Sequence, residues 1–268
     1  MQFVETEGAK IVFEKVGAGT PLLMITGAGG GADVYSRIAG VLGDSYEVIT
    51  YDRRCVARSS GDVDAELDMA QQARDAVAVL RAAGHERAIV FGNSGGANIA
   101  LQLAAGHAAN VSLLVVHEPP FVRLLEDGGK TVEFVRQVHD IFLREGAGAA
   151  MRVFAGSLVG FDIPSERPRD LGQDKDLPFF FRKEYLNLSL CDIALDRITA
   201  SNVPVVALAG EKSGDAYYVR TTEMVAQRLG CPFVKVPGNH LAMKLEPEPF
   251  AQALRKVLAD HPPVRREP

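Results

Sequence analysis

The sequence predicts an α/β fold in which helices cover both faces of a mostly parallel sheet. Three observations carry that expectation. Short apolar runs alternate with amphipathic stretches along most of the chain. One run, Ala88-Ile89-Val90-Phe91, feeds a Gly-x-Ser-x-Gly turn that opens a helix-like segment. A long stretch without strand character separates two late apolar runs.

In chain order, Gln2 to Glu7 and Lys10 to Val16 read as an antiparallel pair, and Leu22 to Thr26 as the first buried strand. A helix near Val34 to Leu42, a strand Glu47 to Tyr51 and a helix Met69 to Ala83 follow, the last with Ala73, Ala76, Val77 and Leu80 on one face. The apolar run at Ala88 has the continuous character of a parallel strand, and Ala97 to Ala105 that of a helix rich in small residues. Val111 to Val116, Val203 to Ala209 and Pro232 to Val236 complete the strands. Helices near Tyr218 to Leu229 and Pro249 to Ala259 close the pattern.

The interval between the Val111 and Val203 strands is too long for one crossover, with helical character at Val132 to Leu143 and Lys183 to Leu195. An insertion there would sit over the carboxyl ends of the strands, as a cap. The expected organisation is a core of residues 1–120 and 199–262, a helical cap of 121–198, and a frayed tail of 263–268. Among 13 phenylalanines, Phe121, Phe134, Phe142, Phe154, Phe161, Phe179, Phe180 and Phe181 fall in the cap, which favours an apolar or aromatic substrate. Phe121, Phe179, Phe180 and Tyr185 are the candidate substrate contacts.

Composition narrows the classes. A chain of 268 residues that is 47% hydrophobic can bury one large core. A net charge of -5 without a basic block argues against nucleic acid. Arg53, Arg54 and Arg58 form only a short cluster of the kind that pairs locally. Cys55, Cys191 and Cys231 are odd in number and widely spaced, which suggests neither disulfides nor a metal site. The acidic start is unlike a signal peptide, and no apolar run reaches membrane-spanning length. The expectation is a cytoplasmic protein with a small apolar substrate, no cofactor, no metal and no membrane partner; a homodimer is compatible with the sequence.

Chemistry enters at Gly92-Asn93-Ser94-Gly95-Gly96. A serine hydroxyl becomes a useful nucleophile when a sharp strand-to-helix turn holds it out and a histidine can take its proton. Glycines on either side permit close approach of strand and helix. The run Gly27 to Gly31 lacks the Gly-Lys-Ser/Thr ending of a phosphate loop, so nucleotide binding is a poor fit.

Four pieces together resemble the α/β-hydrolase superfamily over nearly the whole chain: Thr26-Gly27-Ala28-Gly29-Gly30-Gly31, Tyr51-Asp52-Arg53-Arg54, the turn at Ser94, and Pro237-Gly238-Asn239-His240. The resemblance implies the α/β-hydrolase fold, with an eight-stranded sheet, a helical cap inserted after strand 6, and a Ser, acid, His triad in that order. His240 stands where such a fold delivers the base. His117 is its rival, but His117 and Glu118 are neighbours on a strand and should face opposite ways. Relatives often place an aspartate near the position of Ser213, and none is there. Glu118, Asp215 and Glu211 remain as acids. Val116-His117-Glu118-Pro119-Pro120 resembles lactone hydrolases that open the ring of zearalenone and take the acid from strand 6, which favours Glu118 with Asp215 as the alternative.

The implied chemistry is hydrolysis of an ester or lactone through an acyl-enzyme. Oxyanion donors are expected from the N–H of Gly95 and from the Gly27-Ala28 turn. Asp52 and Arg53 are expected to brace the loop beneath the site. Relatives often have glycine where Cys55 stands, so the loop shape there is open to question. The same scaffold also hosts carbon–carbon bond hydrolases, cofactor-free peroxidases, cyclases and ligand receptors without turnover.

Overall fold

The computed structural model describes residues 1–27, 29, 31–127, 129–161 and 176–263. Ala28, residues 162–175 of the expected cap and residues 264–268 of the expected frayed tail lie outside them. Eight strands form one sheet in the order β1-β2-β4-β3-β5-β6-β7-β8. They are β1 Gln2–Thr6, β2 Ala9–Val16, β3 Thr20–Ile25, β4 Tyr46–Tyr51, β5 Ala88–Asn93, β6 Val111–His117, β7 Val205–Gly210 and β8 Phe233–Val236. The β1–β2 and β2–β4 pairs are antiparallel, and every later pair is parallel.

The central strands are buried on both faces, which is why their sequences are continuously apolar. Alternate residues serve different cores. Leu23, Ile25, Val90, Leu114, Val116 and Ala207 pack with α2 (Met69–Ala82), α3 (Gly95–Gly106), α8 (Leu195–Ser201) and α9 (Tyr217–Leu229). Leu22, Met24, Ile89, Phe91, Leu113, Val115 and Leu208 pack with α1 (Ser36–Leu42), α10 (Ala242–Leu245) and α11 (Pro247–Asp260). A one-residue slip in any of these strands would exchange the two sets.

Between β6 and β7 lie α4 (Lys130–Glu145), α5 (Ala147–Gly156), α6 (Leu177–Phe179), a π-helical stretch Phe180–Glu184 and α7 (Tyr185–Ser189). They share a core of their own around Val135, Val138, Met151, Phe180, Phe181 and Tyr185. Two helical boundaries differ from expectation. The predicted helix Lys183 to Leu195 stops at Ser189, and a new helix, α8, starts at Leu195. The reason is tertiary: Cys191, Ile193 and Leu195 turn inward to join the core beneath α3. The second difference is α5, which its glycines at 148 and 156 hide from a propensity reading. Burial of Ala149, Ala150, Met151 and Ala155 supports it instead.

The register sets up the site. Asn93 pairs with His117, and His117 with Leu208, so β5 and β6 end level with one another and β7 runs on to Gly210 beside them. Ser94, Glu118 and the segment after Gly210 therefore leave the sheet side by side, with the turn after β8 next in line.

Candidate active site

Ser94 sits between β5 and α3 with φ 55° and ψ -131°, a conformation rare outside glycine. Neighbouring atoms leave no alternative path. A Cβ on Gly96 would fall 2.2 Å from the Ile25 carbonyl oxygen, and one on Gly92 would fall 2.4 Å from that of Gly96. The Ser94 N–H donates to the His117 carbonyl at 2.9 Å, and the Ser94 carbonyl accepts from Ala97 N–H at 2.8 Å. Strain of this kind persists only where the surroundings over-determine it. Gly95 opens α3, whose first N–H groups have no intrahelical acceptor and form the positive end of the helix.

His240 is nearly buried in the turn after β8. Its Nδ1 donates to Glu118 Oε2 at 2.7 Å. A carboxylate only accepts, so the proton stays on Nδ1 and Nε2 keeps its lone pair. The Tyr218 ring lies against the imidazole at 4.5 Å between centroids, and Asn93 Nδ2 donates to the His240 carbonyl at 3.2 Å. Asn239 braces the turn from both sides, donating to the Gly160 carbonyl and accepting from Leu241 N–H.

Glu118 is fully buried and, like Ser94, has a positive φ, of 50°. Its Oε1 accepts from Gly210 N–H at 2.8 Å while Oε2 holds His240. Burial alone would raise this carboxyl; the adjacent His117 and His240 imidazoles, with the His240 hydrogen bond, outweigh it and hold the group at about 2. His117 faces the other way, its ring at right angles to Phe250 and its Nδ1 2.9 Å from Asn93 Nδ2. Burial drops His117 to about 4, so it is neutral at ordinary pH.

Asp215 and Glu211 are exposed at the end of β7, and among the described residues neither bonds to His240. Ser213, where relatives often carry the acid, is buried beside them. Ser94 and His240 wall the same cavity, although no hydrogen bond joins Ser94 Oγ to Nε2. Such bonds are often long in ligand-free enzymes and tighten around substrate.

That cavity has a volume of about 690 Å³ and lies between the strand ends and the helices that link β6 to β7. Met151, Phe154, Leu158, Leu177 and Phe180 give it an apolar roof, whereas Asp33, Asp52, Arg58 and Lys244 make part of its wall polar. Of the expected contacts, Phe180 lines this cavity and Tyr185 a smaller hollow beside it. Phe121 does not: it is packed into the core next to α3. Phe179, half-buried, is also absent from the wall, because the π-helical stretch turns Phe180 inward in its place. Gly27 lies on the wall, where a Cβ would come 2.9 Å from Ser94 Cβ; Ala28 is outside the described residues. Met151 and Leu158 were not legible in the sequence, and Phe154 was noted only as one of the phenylalanines of the insertion, because the helix that presents Met151 and Phe154 was not foreseen.

The basic cluster is internally paired. Arg53 is buried and forks onto Glu184 of the π-helical stretch, with Nη2 3.1 Å from Oε2, and the same Nη2 donates to the Gly27 carbonyl at 2.8 Å. Arg54 grips Asp75, and Arg58 spans Asp52 and Glu14. Asp52 Oδ1 also accepts from Ala32 N–H at 2.6 Å, tying the glycine-rich loop down. Glu184 was not anticipated, since its neighbours Arg182 and Lys183 give it the look of a surface residue. Cys55 adopts the positive φ, 64°, that a glycine would supply there, and burial raises its thiol, so it is no ready nucleophile. Among the described residues no group of three or more His, Cys, Asp or Glu side chains could hold a metal, and no helix is long and apolar enough to cross a membrane.

Comparison with known proteins agrees with this architecture. The uncharacterized hydrolase YraK of Bacillus subtilis (strain 168) is 27% identical over 260 residues, covering 95% of this chain and 94% of its own. A thermophilic esterase from Thermogutta terrifontis superposes with a TM-score of 0.78 at 22% identity, over 97% of this chain and 99% of its own. Est816, described as an N-acyl homoserine lactone degrading enzyme, superposes with a TM-score of 0.75 at 22% identity, over 95% and 99%. At that identity the two structures speak for the fold alone. The sequence pattern of the α/β-hydrolase fold family matches residues 20–188. The chain belongs to the α/β-hydrolase fold family.

Proposed function

We propose that this protein is a serine hydrolase that cleaves an ester or lactone with a sizeable apolar part, through an acyl-enzyme. The observation that carries this is the hydrogen bond from His240 Nδ1 to Glu118 Oε2, made beside a strained, cavity-facing Ser94. Ser94 Oγ attacks the carbonyl carbon while His240 Nε2 removes its proton. Glu118, ionised, fixes the imidazole tautomer and stabilises the imidazolium. The same imidazolium protonates the leaving alkoxide; a water deprotonated by Nε2 then attacks the acyl carbon, and the imidazolium returns that proton to Ser94 Oγ as the bond to the acid breaks. Charge on the carbonyl oxygen is met by the Gly95 N–H at the start of α3 and by a donor from the Gly27-Ala28 turn; losing one such donor typically costs about 3 kcal/mol of barrier.

The apolar roof of Met151, Phe154 and Phe180 supports an apolar substrate portion. Likeness to an esterase and to a lactone-degrading enzyme supports the bond type. A fluorophosphonate probe tests the proposal. It should label Ser94 in the native protein and leave Ser94→Ala unlabelled, with p-nitrophenyl acetate turnover lost in parallel. An intact protein whose Ser94 resists the probe would instead be a ligand-binding member of the fold.

A further inference from the structure

We propose that the site divides its substrate at Ser94 into a large arm and a short one, and that Leu188 sets the limit on the short arm. The proposal rests on the ester-cleaving function proposed above. Ser94, His240, Phe154 and Phe180 wall not only the cavity of about 690 Å³ but also the second hollow, of about 20 Å³. Gly95, Pro120, Tyr185 and Leu188 belong to the hollow alone. The hollow is a small fraction of the main cavity, so it admits a short arm and not a long one.

Its wall is held in place. Leu188 is buried in the core cluster under α3, and its carbonyl accepts from the buried Asn98 Nδ2 of α3 at 2.7 Å. The side chain stands directly over the nucleophile turn, since a Cβ on Gly95 would come 2.8 Å from Leu188 Cδ1. An ester bond places one arm on each side of the attacked carbonyl. With one arm in the large cavity, the other must enter the hollow, and close-packed walls resist added methylenes. Esters compact on one arm therefore fit. Esters extended on both arms do not, nor do large-ring lactones, whose two arms are both bulky.

The test is kcat/KM for hexyl acetate, methyl hexanoate and hexyl hexanoate, with wild-type protein and with Leu188→Ala. Wild type should handle hexyl hexanoate at least about tenfold less efficiently than the better of the other two, and Leu188→Ala should close that gap by about tenfold. Should truncation to alanine unfold the protein, Leu188→Val must move the ratio the same way, and the wild-type comparison stands without either variant. Equal efficiency on all three esters, or a folded variant with the gap intact, overturns the proposal while leaving the hydrolase itself in place. Failure on every ester, with Ser94 unlabelled by fluorophosphonate, removes both.

Discussion

Ser94 and Glu118 are both held at positive φ, and each directly follows a strand of the sheet. Behind them stands His117, whose buried neutral ring is linked through Asn93 to the His240 carbonyl. This residue gives the protein a specific acid weakness. Its imidazole falls to about 4 in the folded state from an ordinary value of 6.5. The unfolded chain therefore takes up a proton that the folded one refuses, and stability falls as pH drops from 6.5 towards 4, by about 3 kcal/mol. Glu118 is also depressed in the folded state, to about 2 from 4.5, so its stabilisation is complete above 4.5 and is lost only below that. Urea unfolding at pH 7 and pH 5 separates the two. Wild type should lose stability between these values, and His117→Gln, which keeps an acceptor for Asn93, should lose much less. Parallel slopes would show that His117 is not the group responsible.

At the scale of elements, the helices between β6 and β7 are joined to the rest of the molecule by more than apolar packing. The π-helical stretch Phe180–Glu184 presents Phe180 to the cavity and Glu184 to Arg53, and Arg53 in turn holds the Gly27 carbonyl. Both partners are almost fully buried, 0% and 1% exposed. Removing one leaves an unpaired buried charge, whereas removing both does not. Arg53→Met should thus cost about 3–5 kcal/mol in urea unfolding, and Arg53→Met with Glu184→Met should recover most of that. A double variant as unstable as the single one would mean that the pair matters through packing or through Gly27, not through its charge.

At the scale of the molecule, the sheet order brings together residues 94, 118 and 240, whose side chains come from the ends of β5, β6 and β8. The strands, the turn at Ser94 and the place of His240 after β8 were legible in the sequence because each is a local signal: an apolar run, a Gly-x-Ser-x-Gly spacing, a turn after the last strand. The cavity wall was not. Which of Phe121, Phe179 and Phe180 faces the site depends on a π turn and on the way Phe121 packs beneath α3, and neither leaves a periodic trace. Glu184 escaped notice for a related reason, since its partner is 131 positions away.

The central claim is that Ser94, His240 and Glu118 act as one unit, and a double-variant comparison of ester hydrolysis tests it most directly. Glu118→Gln should lower kcat by about 10³–10⁴-fold, because the amide cannot hold the same imidazole tautomer, while Asp215→Asn should leave it unchanged. Adding Glu118→Gln to His240→Ala should then cost almost nothing further, since the carboxylate works only through the ring. Multiplying losses in the combined variant, or wild-type turnover in Glu118→Gln alone, would contradict it.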